Sequence, residues 1–280
     1  MLVPFTKMQG LGNDFMVIDL ITNQLNLTSA QIRKLSDRHF GVGFDQLLQI
    51  EAPSSPDVDF DYRIFNADGE EVEHCGNGAR CFARFVHDRG LSDRNPIRVK
   101  TVSRILELEL HPDGQVTVNM GRPIFNPADI PFKTAEPAST YRRQLQIGGS
   151  SREIEFSALS MGNPHAVLIV DDIDLAPVAE IGKMLGVHPD FPEGVNVGFM
   201  EIDNRQRVKL RVFERGVGET LACGTGACAA MAAGHDRGLL DSSVVFALRG
   251  GDLSVSWEQD SGAILMRGPA VTVYEGRVEI

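Results

Sequence analysis

Polar and apolar residues alternate along much of this chain, the mark of strands with one face buried. Residues 105–110, 116–120, 208–212 and 253–257 follow this period of two. Two short apolar runs, residues 15–18 and 166–170, read as more deeply buried strands, and each is followed by an acid, Asp19 and Asp171. Helical spacing predicts four further elements. The first is capped by Thr28 or Ser29 and runs to Arg38, with Ile32 and Leu35 on one face. The second covers residues 175–185, with Val178, Ile181 and Leu185 in line. A third covers 78–87 through Ala79, Phe82, Ala83 and Val86, and a fourth covers the Ala-rich stretch 226–236. Residues 123–137, rich in Pro and small side chains, read as a junction. The apolar stretch 270–274 has no evident partner in the second half and is expected to return to the first.

The elements repeat. Arg63, Phe65, Glu71 and Cys75, followed by Gly76-Asn-Gly-Ala79, recur 148 positions later as Arg211, Phe213, Glu219 and Cys223, followed by Gly224-Thr-Gly-Ala227. Gly12-Asn13 recurs as Gly162-Asn163, with the run 15–18 matched by 166–170. A repeat of this length predicts two similar α/β units, each strand-rich around one long helix. The expected units are 1–121 plus 268–280, carrying Cys75, and 122–267, carrying Cys223. A chain of 280 residues has room for both.

Composition narrows the partners. With 42% hydrophobic and 23% charged residues the chain is ordinary for a globular protein. A net charge of −11 argues against nucleic acid or an anionic membrane as partner, since both need a basic face. No apolar run approaches the roughly 18 residues of a membrane span. The first residues lack the apolar core of a secretory signal, so the expected location is cytoplasmic. Four cysteines do not make a disulfide framework, and no metal- or nucleotide-binding motif is present, so neither cofactor nor metal is expected.

The chemistry concentrates at the paired Cys-Gly-x-Gly motifs. An ordinary thiol, with a pKa of about 8.5, is a poor base near neutrality. Placed just before a helix, Cys75 and Cys223 meet unpaired N–H groups and the positive end of the helix dipole, which favour thiolate. The same N–H groups suit a carboxylate, and glycine allows its close approach. Two such half-sites are a physical solution for removing a proton from one face of a carbon and returning one to the other. A lone cysteine is more often core packing; the in-register repeat tips these two toward chemistry. Cys81 and Cys228, out of register by one residue, are expected to pack in the core. A Cys75–Cys223 disulfide is expected as an inactivation product.

These residues resemble the diaminopimelate epimerase family across essentially the whole chain. The segments that carry the resemblance are Lys7-Met-Gln-Gly-Leu-Gly-Asn-Asp-Phe15, Phe65-Asn-Ala-Asp-Gly, Cys75-Gly-Asn-Gly-Ala-Arg-Cys81, Ser160-Met-Gly-Asn-Pro-His165 and Glu214-Arg-Gly-Val-Gly-Glu-Thr-Leu-Ala-Cys-Gly-Thr-Gly-Ala227. The resemblance implies two units, each a curled, mostly antiparallel sheet around a central helix, with the active site between them. It implies that Cys75 and Cys223 exchange the α-proton of LL-diaminopimelate to give the meso form, a step of lysine and peptidoglycan precursor synthesis. His165 and Glu214 are implied as polar partners of the reacting end. Gly76, Asn77, Gly224 and Thr225 are implied to hold the reacting carboxylate. Asn13, Gln46, Asn66, Asn163, Asn196 and Arg215 are implied to bind the substrate's amino and carboxylate groups. Amides offer donors and acceptors together, and Arg offers a carboxylate fork. Thr225 stands where the family often has Ser, which keeps the hydroxyl. A homodimer, with Tyr274 taking part, is a further implication.

Rival readings are weaker. A pyridoxal-phosphate racemase needs a lysine in a recognisable setting, and none of the six here has one. Proline racemase-like enzymes take a cyclic substrate, which the Asn set and Arg215 do not favour. Without an electron sink, carbanion charge needs preorganised N–H groups and a dry site. The two halves are therefore expected to close over substrate, with residues 123–137 as the hinge region.

Overall fold

A computed structural model describes residues 1–23, 25–72, 75–258 and 260–280. Glu73 and His74, inside the first copy of the repeat, lie outside the described residues. The described residues form two compact units, Met1–Asn119 with Arg267–Ile280, and Met120–Met266.

The first unit opens with β1 (Leu2–Gly10), β2 (Asn13–Asp19), α1 (Ser29–Ser36), β3 (Gln46–Glu51), β4 (Phe60–Asn66) and the short β5 (Glu71–Val72). It continues through α2 (Gly76–Asp88), β6 (Ile97–Lys100), β7 (Ile105–Leu110) and β8 (Gln115–Asn119). The pairings β1/β2, β3/β4, β6/β7 and β7/β8 are antiparallel; β2/β3 and β4/β6 are parallel. Gly12 and Gly162 hold φ values of 85° and 95°, a left-handed turn that glycine makes without strain, at matching places in the two repeats.

The second unit has β9 (Tyr141–Ile147), β10 (Ser150–Ser160), β11 (Pro164–Ile169), α3 (Val178–Gly186), β12 (Asn196–Asn204), β13 (Arg207–Glu214), β14 (Gly218–Glu219), α4 (Gly224–Asp236), β15 (Ser243–Leu248), β16 (Gly251–Trp257) and the first half of β17 (Ile264–Pro269). Its pairing repeats that of the first unit: β10/β11 and β12/β13 antiparallel, β11/β12 and β13/β15 parallel, β15/β16 antiparallel. Even registers correspond: Phe15 faces Gln46 in one unit, and His165 faces Asn196 in the other. Here β9 hairpins onto β10. In the first unit that place beside β1 is taken by β18 (Val271–Glu279), which returns from the far end of the chain, as the lone apolar stretch 270–274 led one to expect.

Each sheet wraps one helix. In α2 the residues from Gly76 to Ala83, with Phe85 and Val86, are buried, and the helix packs on β1, β2, β3, β7 and β8. In α4 small side chains let it sit deeper: Ala227, Cys228, Ala229, Ala230, Met231 and Ala232 are all fully buried against β10, β11, β12 and β16. Cys81 and Cys228 lie in these cores. The outer helices bury only one stripe, Ile32 and Leu35 in α1 and Val178, Ile181 and Leu185 in α3. Thr28 closes a capping box with Gln31, which satisfies the first amides of α1.

Three expectations are corrected. The first helix ends at Ser36, before Arg38, whose side chain instead binds Asp14 and Asp45. The α3 helix starts at Val178, and Leu175 is exposed before it. Residues 123–137 are no linker: they belong to the second unit, where Ile130 and Phe132 enter the core cluster with Phe156 and Phe191. Burial of these apolar side chains anchors the middle of the segment within that unit. Among the described residues no helix is long and apolar enough to cross a membrane.

Candidate active site

Both catalytic candidates are helix N-caps. Cys75 precedes α2 in an extended conformation (φ −140°, ψ 116°), and its sulfur accepts the Gly78 amide at 3.5 Å. Cys223 precedes α4 in the same way (φ −121°, ψ 109°), with its sulfur accepting the Gly226 amide at 3.3 Å. Each helix begins at the glycine next to the cysteine, two residues before the start expected from periodicity alone, and this makes the cysteine the cap. The glycines two further on are sterically required. A Cβ on Gly226 would meet Val212 at 2.8 Å, and one on Gly78 would meet the Tyr62 hydroxyl at 2.4 Å.

In the first unit, Asn13 sits beside the sulfur. Its Oδ1 is 3.7 Å from Cys75 Sγ and accepts from Asn77 Nδ2 at 3.3 Å. Its Nδ2 donates to Asp45 at 2.9 Å. Gln46 and Asn66 are joined across β3 and β4, Nε2 to Oδ1 at 2.9 Å. Gly76 and Asn77 form the buried first turn of α2.

The second unit is built differently at the same places. Asn163 turns Nδ2 to the Thr225 hydroxyl at 3.4 Å and Oδ1 to His165 Nε2 at 3.0 Å. His165 is buried on β11. Asn196 uses both ends of its amide on the backbone, donating to Pro164 O at 3.1 Å and accepting from Arg215 N at 2.9 Å. The Arg215 guanidinium, exposed, donates to Glu193 O at 2.7 Å. Gly224 and Thr225 start α4, and Thr225 Oγ1 lies 3.6 Å from Cys223 Sγ. Glu214 accepts the Thr220 hydroxyl at 2.5 Å.

The electrostatics correct one expectation. Burial, then the Glu214 carboxylate beside it, push the Cys223 thiol well above its ordinary range. The bonds from Thr225 and Gly226 pull the other way and lose. The helix N-terminus alone therefore does not make this sulfur a thiolate: desolvation disfavours the charged form more strongly than one amide supports it.

The repeated Arg and Glu, given no catalytic role, tie each Cys loop to its strand. Arg63 grips Glu71 through Nε and Nη2 at 2.8 and 2.9 Å, and Arg211 grips Glu219 at 2.7 and 2.9 Å. Asp45, Thr220 and Tyr62 were not singled out in the sequence. Only Asp45 had a signal, an acid next to Gln46 with Lys7, Asp14 and Arg38 within reach of the Asn13 turn.

Comparison with known proteins agrees with the motifs. The diaminopimelate epimerase family profile matches residues 5–126 and 157–273. Diaminopimelate epimerase from Nitrosomonas europaea is 57% identical over 280 residues, covering all of both chains. The protein of that name from Pseudomonas savastanoi pv. phaseolicola is 55% identical with the same coverage. Among solved structures, a hydroxyproline epimerase from Agrobacterium vitis is similar with a TM-score of 0.72 at 17% identity, over 99% of this chain and 92% of that one. A phenazine biosynthesis protein of the PhzF family from Bacillus anthracis gives 0.69 at 18%, over all of both chains. At such identities these two show the fold alone. Full-length identity above half, together with the profile match, places this chain in the diaminopimelate epimerase family.

Proposed function

We propose that this chain interconverts the LL and meso forms of 2,6-diaminopimelate by proton transfer between two thiols, with no cofactor. The observation that supports this most is the duplicated cap: each unit presents a cysteine sulfur at the N-terminus of its central helix. In this reading the two sulfurs act on one α-carbon, one taking its proton and the other protonating the opposite face. Cys223, held protonated by burial and by Glu214, starts as the acid. Cys75 is then the base, for whichever stereoisomer turns its α-hydrogen toward it.

Removing that proton leaves negative charge on the carboxylate. The first amides of a helix have no acceptor within the helix, so Gly76, Asn77, Gly224 and Thr225 are suited to receive that charge. Asn13, Gln46, Asn66, Asn163, Asn196 and Arg215 would select the amino and carboxylate groups, and His165 would steady Asn163 beside Thr225. We place the enzyme in the cytoplasm, acting in lysine and peptidoglycan precursor synthesis. We take it as a homodimer through the exposed face of β18, where Val273 and Tyr274 lie. Purified, reduced protein should convert LL-diaminopimelate to the meso form on chiral separation and leave L-proline unchanged. Racemisation of proline with diaminopimelate untouched would refute the assignment.

A further inference from the structure

We infer that Asp45 is a positioning residue for the Cys75 half-site: its carboxylate decides which edge of the Asn13 amide the sulfur meets. The inference rests on Cys75 being a reacting group, as proposed above.

The two ends of an Asn amide are nearly alike in shape, so the surrounding hydrogen bonds must choose between them. An ionised carboxylate only accepts. Asp45 Oδ2 receives Asn13 Nδ2 at 2.9 Å and the Asp14 backbone N–H at 3.1 Å. The nitrogen edge of Asn13 is therefore turned to Asp45, and the oxygen edge is left facing Cys75 Sγ and Asn77 Nδ2. Asp45 is itself held. Arg38 donates to its Oδ1 at 2.8 Å and forks onto both oxygens of Asp14 at 2.9 and 2.8 Å, and Lys7 completes the cluster on Asp14 at 2.6 Å.

The other repeat lacks this device. Asp45 corresponds to Val195, which is fully buried, and Asn163 turns its nitrogen to Thr225 instead. The lock therefore belongs to one sulfur only.

An acceptor beside a sulfur raises its affinity for a proton; a donor lowers it. A carbon-bound α-proton is weakly acidic, so a base of higher proton affinity takes it more readily. With the oxygen edge facing it, Cys75 is the stronger base. With the nitrogen edge it would be a more abundant but weaker thiolate.

The test follows Cys75 alkylation by iodoacetamide against pH in Cys223→Ser protein, a readout that needs no epimerase activity. Failure here and failure of the proposed function are thus distinguishable. In the Asp45→Asn variant the new amide can offer its own N–H to Asn13, which frees Asn13 to turn its nitrogen to the sulfur. The alkylation midpoint should fall by about one pH unit. Loss of the Asp45 charge alone also favours thiolate, so the same change is made on Asn13→Ala. If Asp45 acts through Asn13, the shift shrinks there to the part that the lost charge alone contributes. The Tyr62 hydroxyl and the Cys81 thiol, two titrating groups coupled to Cys75, are common to every variant. If Asp45→Asn does not fold, Asp45→Ser carries the same comparison. An unmoved midpoint, or an equal shift with and without Asn13, would overturn the inference.

Discussion

The Glu214 carboxylate lies against the Cys223 thiol and is, after burial, the second force that keeps it protonated. Glu214 is steadied in turn by the Thr220 hydroxyl at 2.5 Å. Replacing Glu214 by Gln removes the negative charge and leaves the shape. The Cys223 titration midpoint should then fall. Thiolate ultraviolet absorbance across pH, in Cys75→Ser protein, measures it. A midpoint that stays put would mean burial alone sets the proton.

The two-thiol proposal requires each sulfur for turnover. Cys75→Ala and Cys223→Ala should each lower the rate of epimerisation by about a thousandfold or more, the scale of a lost general acid or base. Steady-state assays in both directions check this, and full activity in either variant would contradict the two-thiol reading.

Much of this arrangement is written in the chain. The offset of 148 between the Arg63 and Arg211 segments announces two units, and alternation marks the strands that pair them. What the sequence hides is the outcome of competition. Cys223 is subject to opposing influences from Gly226 and from Glu214, and only burial decides between them. Residues 123–137 have linker composition, yet Ile130 and Phe132 find an apolar core contributed by residues far along the chain. The Asn13–Asp45 bond joins residues 32 positions apart, through a strand register that no local pattern encodes.

Tyr62 and Gly78 share one crowded spot. The Tyr62 hydroxyl is fully buried and has no hydrogen-bond partner among the described residues, and a Cβ on Gly78 would come within 2.4 Å of it. Gly78→Ala should therefore cost about 1–3 kcal/mol by overpacking. Tyr62→Phe should cost little or stabilise, because a buried hydroxyl without a partner is unfavourable. Adding Tyr62→Phe to Gly78→Ala should recover most of the loss in urea denaturation. Strictly additive effects would contradict the contact.

The two Arg–Glu forks differ in burial. Arg211 and Glu219 are 21% and 16% exposed, and Arg211 also donates to Ile173 O at 2.8 Å. Arg63 is 39% exposed. Arg211→Ala should cost about 1–2 kcal/mol, and Arg63→Ala less, since water screens the more exposed pair. Chemical denaturation of the two variants side by side reads the order.

Stability should fall on both sides of neutrality. Burial would raise the Asp14 carboxyl, but hydrogen bonds from Arg38 and Lys7 outweigh it and hold it at about 2. Its contribution is present above about 3.8 and is lost as pH drops through about 2. Burial pushes the Cys81 thiol up to about 12 and raises Cys223. These groups stay protonated when folded but ionise near 8.5 when unfolded, so stability falls as pH rises from about 8.5 toward 12. Melting temperatures across pH should show both slopes, and Cys81→Ala should flatten the alkaline one.

The most direct measurement incubates reduced protein with LL-diaminopimelate in D2O and follows deuterium at the α-carbons alongside stereochemistry. Two separate thiols predict that the meso product carries solvent deuterium at the inverted centre from its first appearance, while unreacted substrate gains it more slowly. Meso product that retains the original hydrogen would mean a single group carries the proton across, contradicting the account.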